Sequence, residues 1–133
     1  MKKISSARFY GKESILLIDD EKPVLKMVDQ VLSRFGYKVT CHHNGLSALT
    51  LFRDSPDQFD LVITDMTMPD ITGDKIVKEI KRIRPDFPVI LCTGFSERLV
   101  SEKTNKNMPD KILMKPVGRD DLLKSIREIL GND

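Results

Sequence analysis

Three acids, one hydroxyl and one amine each stand just after a short apolar run: Asp19 and Asp20 after residues 15–18, Asp65 after 61–63, Thr93 after 89–91, and Lys115 after 112–114. If those runs are parallel strands, the side chains meet at one edge of a sheet, and open parallel sheets hold their ligands outside the carboxyl ends of the strands. Crowded carboxylates repel and raise each other's pKa unless a cation sits between them. Oxygen donors of this kind suit a hard divalent ion. Taken singly, each residue has a plainer role: Asp19, Asp20 and Glu21 as the acidic start of a helix, Asp65 as a turn residue, Thr93 as a strand end, Lys115 as a solvated charge. Their joint placement is what points to chemistry.

The elements that must position these groups follow from periodicity. From Ser14 onward, strand-like runs alternate with helical spacing five times, which predicts an α/β domain built on a parallel sheet. Pro23 suits a first helical turn, and Val24, Leu25, Val28, Val31 and Leu32 recur at helical spacing until Gly36 stops the helix. Residues 37–41 form a second, weaker strand. Asn44 then caps a helix expected to carry Leu46, Leu49 and Phe52 on one face. After the loop 65–73 comes a helix with Ile76, Val77, Ile80 and Ile83, closed before Pro85. The run 89–91 is apolar on both faces, as in a strand covered on both sides. Residues 96–110 predict only a short or mobile helix, and Leu122, Leu123, Ile126, Ile129 and Leu130 line a final one before Gly131. Residues 1–13 lack sustained periodicity and read as a linker or tail, leaving 14–131 as one domain.

Composition narrows the class. A chain of 133 residues with 40% hydrophobic and 32% charged residues is that of one globular domain. Its apolar runs fall far short of the ~20 residues a membrane crossing needs. No apolar stretch follows the basic start, as a secretory signal would require, so a cytoplasmic location without membrane contact is expected. Net charge is only +2 with both signs interspersed, so direct nucleic-acid binding is not expected. Cys41 and Cys92 lack C-x-x-C spacing, which fits a reducing compartment. In Cys41-His42-His43, adjacent strand residues point to opposite faces and do not converge on a metal.

Four motifs occur in order: Asp19-Asp20-Glu21, Asp65-Met66-Thr67-Met68-Pro69-Asp70-Ile71-Thr72-Gly73, Thr93-Gly94 and Lys115-Pro116. Together they resemble the receiver domain of two-component response regulators over residues 14–131; any one alone is weak. The resemblance implies a flavodoxin-like (CheY-like), doubly wound, five-stranded parallel sheet of order 2-1-3-4-5 with helices on both faces. It implies that Asp65 accepts a phosphoryl group from a phosphohistidine on a histidine kinase or histidine phosphotransfer domain. Mg²⁺ would be held by Asp19, Asp20, Asp65 and the backbone carbonyl of Thr67. Lys115 and the Thr93 hydroxyl would bind phosphoryl oxygens, joined by the backbone amides of Met66 and Gly94, and the Lys115-Pro116 bond would be cis. Physical reasoning agrees: a carboxylate is a competent nucleophile once phosphoryl charge is neutralised, and phosphoryl transfer rests on positioning and electrostatics.

Departures from the family pattern also matter. Ile112 stands where many members carry the aromatic ring that turns inward on activation. Residues 104–110 depart from the usual small-residue pattern on a surface the family uses for output or weak homodimerisation. Phe95, two positions after Thr93, is expected to shield the phosphoryl group and slow its loss; a decay rate unchanged in Phe95→Ala would refute this. The wording around residues 11–16 and 92–97 resembles receivers attached to hybrid sensor histidine kinases, so a receiver from a longer protein is expected alongside a stand-alone regulator. The rival readings are a receiver-like module that binds its partner without phosphorylation, and a phosphomonoester hydrolase. The second lacks the Asp-x-Asp that the haloacid-dehalogenase type requires, since Asp65-Met66-Thr67 supplies no second acid.

Overall fold

The computed structural model describes residues 8–94 and 108–131. Strands β1 (Ser14–Ile18), β2 (Lys38–His42), β3 (Leu61–Asp65), β4 (Val89–Thr93) and β5 (Lys111–Met114) alternate with helices α1 (Lys22–Arg34), α2 (Gly45–Asp54), α3 (Gly73–Ile83) and α4 (Arg119–Leu130). The five strands form one sheet in the order β2-β1-β3-β4-β5, and every pairing is parallel. This is the flavodoxin-like arrangement. Of the helix expected within 96–110, residues 96–107 lie outside the described residues, as does Phe95, and residues 108–110 are not helical.

Successive strand residues point to opposite faces, so each central strand feeds two cores. Ile15, Leu17, Ile63, Ile90 and Cys92 pack with α1 and α4 on one face. Leu16, Ile18, Val62 and Val89 pack with α2 and α3 on the other. Every residue of β3 and β4 is therefore buried. Phe52 of α2 meets Phe87 edge-on at 4.8 Å between ring centroids, a pairing that adds about 1 kcal/mol to its burial.

Local signals set the helix ends. Pro23 lies in the first turn of α1, and Asn44 accepts a hydrogen bond from Ser47 N at 2.8 Å to cap α2. Leu46 differs from expectation: it is 52% exposed. The buried stripe of α2 is instead Gly45, Ala48, Leu49 and Phe52, because the helix presses its first turn against the loop after β3. Gly73 opens α3 where there is no room for a side chain; a Cβ there would stand 2.3 Å from the carbonyl oxygen of Asp65.

Residues 8–13 lie against the α1 and α4 side. Gly11 N donates to Phe35 O at 3.0 Å, and Phe9 packs on that core. The Arg127 guanidinium donates to both Glu13 carboxylate oxygens at 2.9 and 3.0 Å and to the Tyr37 hydroxyl at 2.9 Å. The guanidinium holds the Glu13 carboxyl below its usual pKa.

At the end of the sheet away from the clustered acids, Asp110 fixes the start of β5. One of its carboxylate oxygens accepts from Lys81 Nζ and from Val89 N, each at 2.8 Å, while Lys81 Nζ also donates to Phe87 O at 2.8 Å. Lys81 is buried, so this pairing compensates a charge held away from water. Asp110→Ala strips acceptors from both donors and is expected to lower unfolding free energy by about 2 kcal/mol. Urea denaturation measures this, and a midpoint equal to wild type would show that the pair is not an anchor.

Candidate functional site

The strand registers bring the acids and the amine together. Ile18 pairs with Thr64, Asp65 with Cys92, and Thr93 with Met114. One step beyond Ile18, Asp19 stands beside Asp65 at the carboxyl end of the two central strands. Lys115 N donates to Thr93 O at 2.8 Å and extends the β4–β5 ladder by one residue. The Lys115-Pro116 bond is cis.

Lys115 Nζ lies 2.9 Å from Asp65 Oδ1 and 3.6 Å from Asp19 Oδ2. Carboxylate oxygens of Asp19, Asp20 and Asp65 all lie within 4.8 Å of one another. Asp19 and Asp65 are buried and Asp20 is half-buried. With all three acids ionised, a single ammonium leaves the cluster two negative charges in excess. Burial pushes the Asp19 pKa up, Glu21 N opposes it by donating to Oδ1 at 2.9 Å, and the charges of Asp65 and Asp20 add to the rise. Burial opposes the charge on Lys115, but its hydrogen bond to Asp65 and the charges of Asp19, Asp65 and Glu21 prevail and raise its pKa. A divalent cation would balance the excess, and the all-oxygen donor set fits a hard ion.

Other expected site residues lie close by. Thr93 is buried as the last residue of β4, and Gly94 is exposed just beyond it. Among the described residues, nothing lies within 4 Å of where a Cβ on Gly94 would stand, so its backbone is approachable. Thr67 is exposed in the loop after β3. The Met66 amide donates to Cys92 O at 2.8 Å. Asp65 still belongs to β3, so the sheet ladder takes the next amide. The donor from Glu21 N to Asp19 was not legible in the sequence, since any residue type supplies a backbone amide.

Cys92 is buried beneath the site, and burial pushes its thiol up to about 12. Cys41 and His42 are half-buried and His43 is exposed. Among the described residues, the acids and not this run bring ligand atoms together. A cavity of 420 Å³ adjoins the acids; Val24 and Met27 of α1 and Pro116 and Val117 after β5 help line it, as do Asp65 and Lys115. No described helix is long and apolar enough to cross a membrane.

Comparison with known proteins agrees with this geometry. The response regulator receiver domain family matches residues 15–127, and the chain belongs to that family: it is a receiver domain of two-component signalling. It is 30% identical over 116 residues to the response regulator receiver protein CpdR of Brucella abortus (strain 2308), covering 87% of this chain and 95% of that protein. It is 34% identical over 108 residues to the two-component response regulator ARR10 of Arabidopsis thaliana, covering 81% of this chain but only 19% of that longer protein. A response regulator receiver domain protein from Clostridium thermocellum superposes with a TM-score of 0.82 at 33% identity, covering 89% of this chain and 94% of that one.

The charge excess has a thermodynamic signature. The raised Asp19 pKa means that ionising this group costs the fold stability as pH rises through that pKa. Asp19→Asn keeps an oxygen for Glu21 N and removes the charge. Its melting temperature in EDTA at pH 7 is expected to rise by about 3 °C, while any stabilisation by added Mg²⁺ is lost. Thermal melts with and without Mg²⁺ measure both; a lower melting temperature in EDTA would refute the repulsion argument.

Proposed function

We propose that Asp65 is the phosphoacceptor and that the donor is a phosphohistidine on a histidine kinase or histidine phosphotransfer domain. The observation that carries this reading is the 2.9 Å contact between Lys115 Nζ and Asp65 Oδ1 within a carboxylate cluster that one ammonium leaves undercompensated. An Asp65 carboxylate oxygen attacks phosphorus, the oxygen–phosphorus bond forms, and the phosphorus–nitrogen bond to the histidine breaks. The imidazole leaves with the electron pair and is protonated. Lys115 turns its ammonium to one phosphoryl oxygen as a point charge, the Thr93 hydroxyl donates to a second, and the Gly94 amide reaches the group from the open side. Hydrolysis of the acyl phosphate returns the carboxylate and inorganic phosphate.

Mg²⁺ is the proposed metal, held by Asp19, Asp20, Asp65 and the Thr67 carbonyl; when bound it neutralises charge that builds on the phosphoryl oxygens. The chain's chemistry is its own phosphorylation and dephosphorylation, with no turnover of a separate substrate. The apolar cavity wall beside Asp65 supports a protein donor, since it offers surface for a side chain next to the acceptor. Engagement of the phosphoryl group by Thr93 shifts the population of conformations around the end of β4, which is the output. The receiver unit is read as residues 14–131 in the cytoplasm. The resemblance around residues 11–16 and 92–97 supports attachment to a hybrid sensor histidine kinase.

Intact mass after incubation with acetyl phosphate tests the chemistry. Wild type is expected to gain one phosphoryl group only with Mg²⁺, Asp65→Asn to gain none, and Lys115→Ala to be labelled at least ~100-fold more slowly. An adduct that persists in Asp65→Asn would move the acceptor elsewhere. No adduct from either acetyl phosphate or a phosphorylated histidine phosphotransfer domain would favour phosphorylation-independent binding.

A further inference from the structure

The loop between β3 and α3 carries Thr67, and restraints at its base, middle and tip hold it, with Ile71 packed on the core beside Met68. At its base, Gly73 N donates to Met66 O at 2.8 Å. In its middle, Met68 is buried in the core shared with α2 and α3. At its tip, the exposed Asp70 carboxylate accepts from Leu46 N, in the first turn of α2, at 2.9 Å. Gly45 makes this approach possible: a Cβ there would stand 2.4 Å from Ile71 Cγ2 and 3.4 Å from Met68 Cε. The loop tip and the start of α2 are therefore in direct contact.

Helix α2 already has a cap of its own, since Asn44 accepts from Ser47 N at 2.8 Å. Asp70 reaches the same terminus from 24 residues away. A second acceptor adds modestly to helix stability, but it adds a directional polar tie to a loop otherwise held at its base and by the apolar packing of Met68 and Ile71. Pro69, with its fixed φ, joins Asp70 directly to Met68 and the adjoining Thr67. Burial opposes ionisation of Asp70, but amides including those of Leu46 and Gly45 favour the charged form and lower its pKa, so the restraint is present at neutral pH.

We infer that Asp70 is a positioning residue for the metal: by tying the β3–α3 loop to the start of α2, it sets where the Thr67 carbonyl stands relative to Asp65 and its neighbouring acids. It is not a ligand itself, and it acts through Thr67. The inference rests on the proposed metal role of that carbonyl. Groups that orient metal ligands typically contribute about tenfold or more to affinity.

Calorimetric titration with Mg²⁺, together with melting temperatures in EDTA, tests it in the full chain. Asp70→Ala is expected to weaken Mg²⁺ binding about tenfold, and acetyl phosphate labelling should be slowed at low Mg²⁺ and restored at saturating Mg²⁺. Asp70→Asn, which keeps an acceptor oxygen but not the charge, should bind Mg²⁺ nearly as wild type. Asn44→Ala weakens the same helix terminus and should lower the melting temperature without changing Mg²⁺ affinity. Unchanged affinity in Asp70→Ala would overturn the inference while leaving the phosphoacceptor reading intact. Equal losses in Asp70→Asn and Asp70→Ala would also overturn it, because charge rather than tethering would then be responsible. So would an equal loss in Asn44→Ala. Wild type that takes up no Mg²⁺ would overturn the metal assignment and this inference together.

Discussion

Everything at the functional edge of this domain depends on keeping three carboxylates together with one ammonium. Asp19 and Asp65 are buried, Asp20 is half-buried, and Lys115 Nζ lies 2.9 Å from Asp65. A chain selected for stability alone would neutralise or disperse such a cluster. Here Asp65 is held as the last residue of β3, and Asp19 just beyond β1 by the amide of Glu21 on its carboxylate. On the proposed reading, a cation and then a phosphoryl group would each find the site already assembled.

The fold meets that cost by making the strands beneath the acids rigid. β1 and β3 are flanked by strands on both sides, and almost all their side chains are fully enclosed. Two cores, one on each face, press on the same strands. Movement of Asp65 would disturb packing on both faces, whereas Lys115, just after the short edge strand β5, can swing its long side chain at little cost. On the proposed reading the cluster combines a fixed nucleophile, Asp65, with an adjustable counter-charge, a division suited to an ammonium that would release one partner and take up another.

Strand positions were legible because buried parallel strands read as short apolar runs closed by polar residues, and the site residues follow those runs; the sheet order came from the resemblance carried by the four motifs. Asn44 and Pro23 marked helix starts by local chemistry that needs no tertiary context. Leu46 was misplaced because helical spacing alone cannot say which of two overlapping stripes faces inward; contact with the β3–α3 loop decides it. The bond from the Met66 amide to Cys92 O was not legible either, because a motif does not reveal that Asp65 still belongs to β3, whose ladder takes the next amide. Asp70 to Leu46 and Lys81 to Asp110 join residues 24 and 29 positions apart. Such pairs leave no periodic signal, and charged residues near turns are too common to stand out.

The two ends of β5 behave differently for a physical reason. At its start, Asp110 is bound through its carboxylate to Lys81 and Val89, and its own amide donates to Val89 O at 2.8 Å. At its far end, Lys115 is held to the sheet by one backbone bond to Thr93, while its side chain answers to the acids. The register of β5 therefore cannot slip to relieve a change at the site. Thr93 supplies both the carbonyl that holds Lys115 and a side chain beside the proposed phosphoryl position. A rearrangement that the proposed phosphoryl group imposed at Thr93 would therefore meet a strand β5 already anchored at its start.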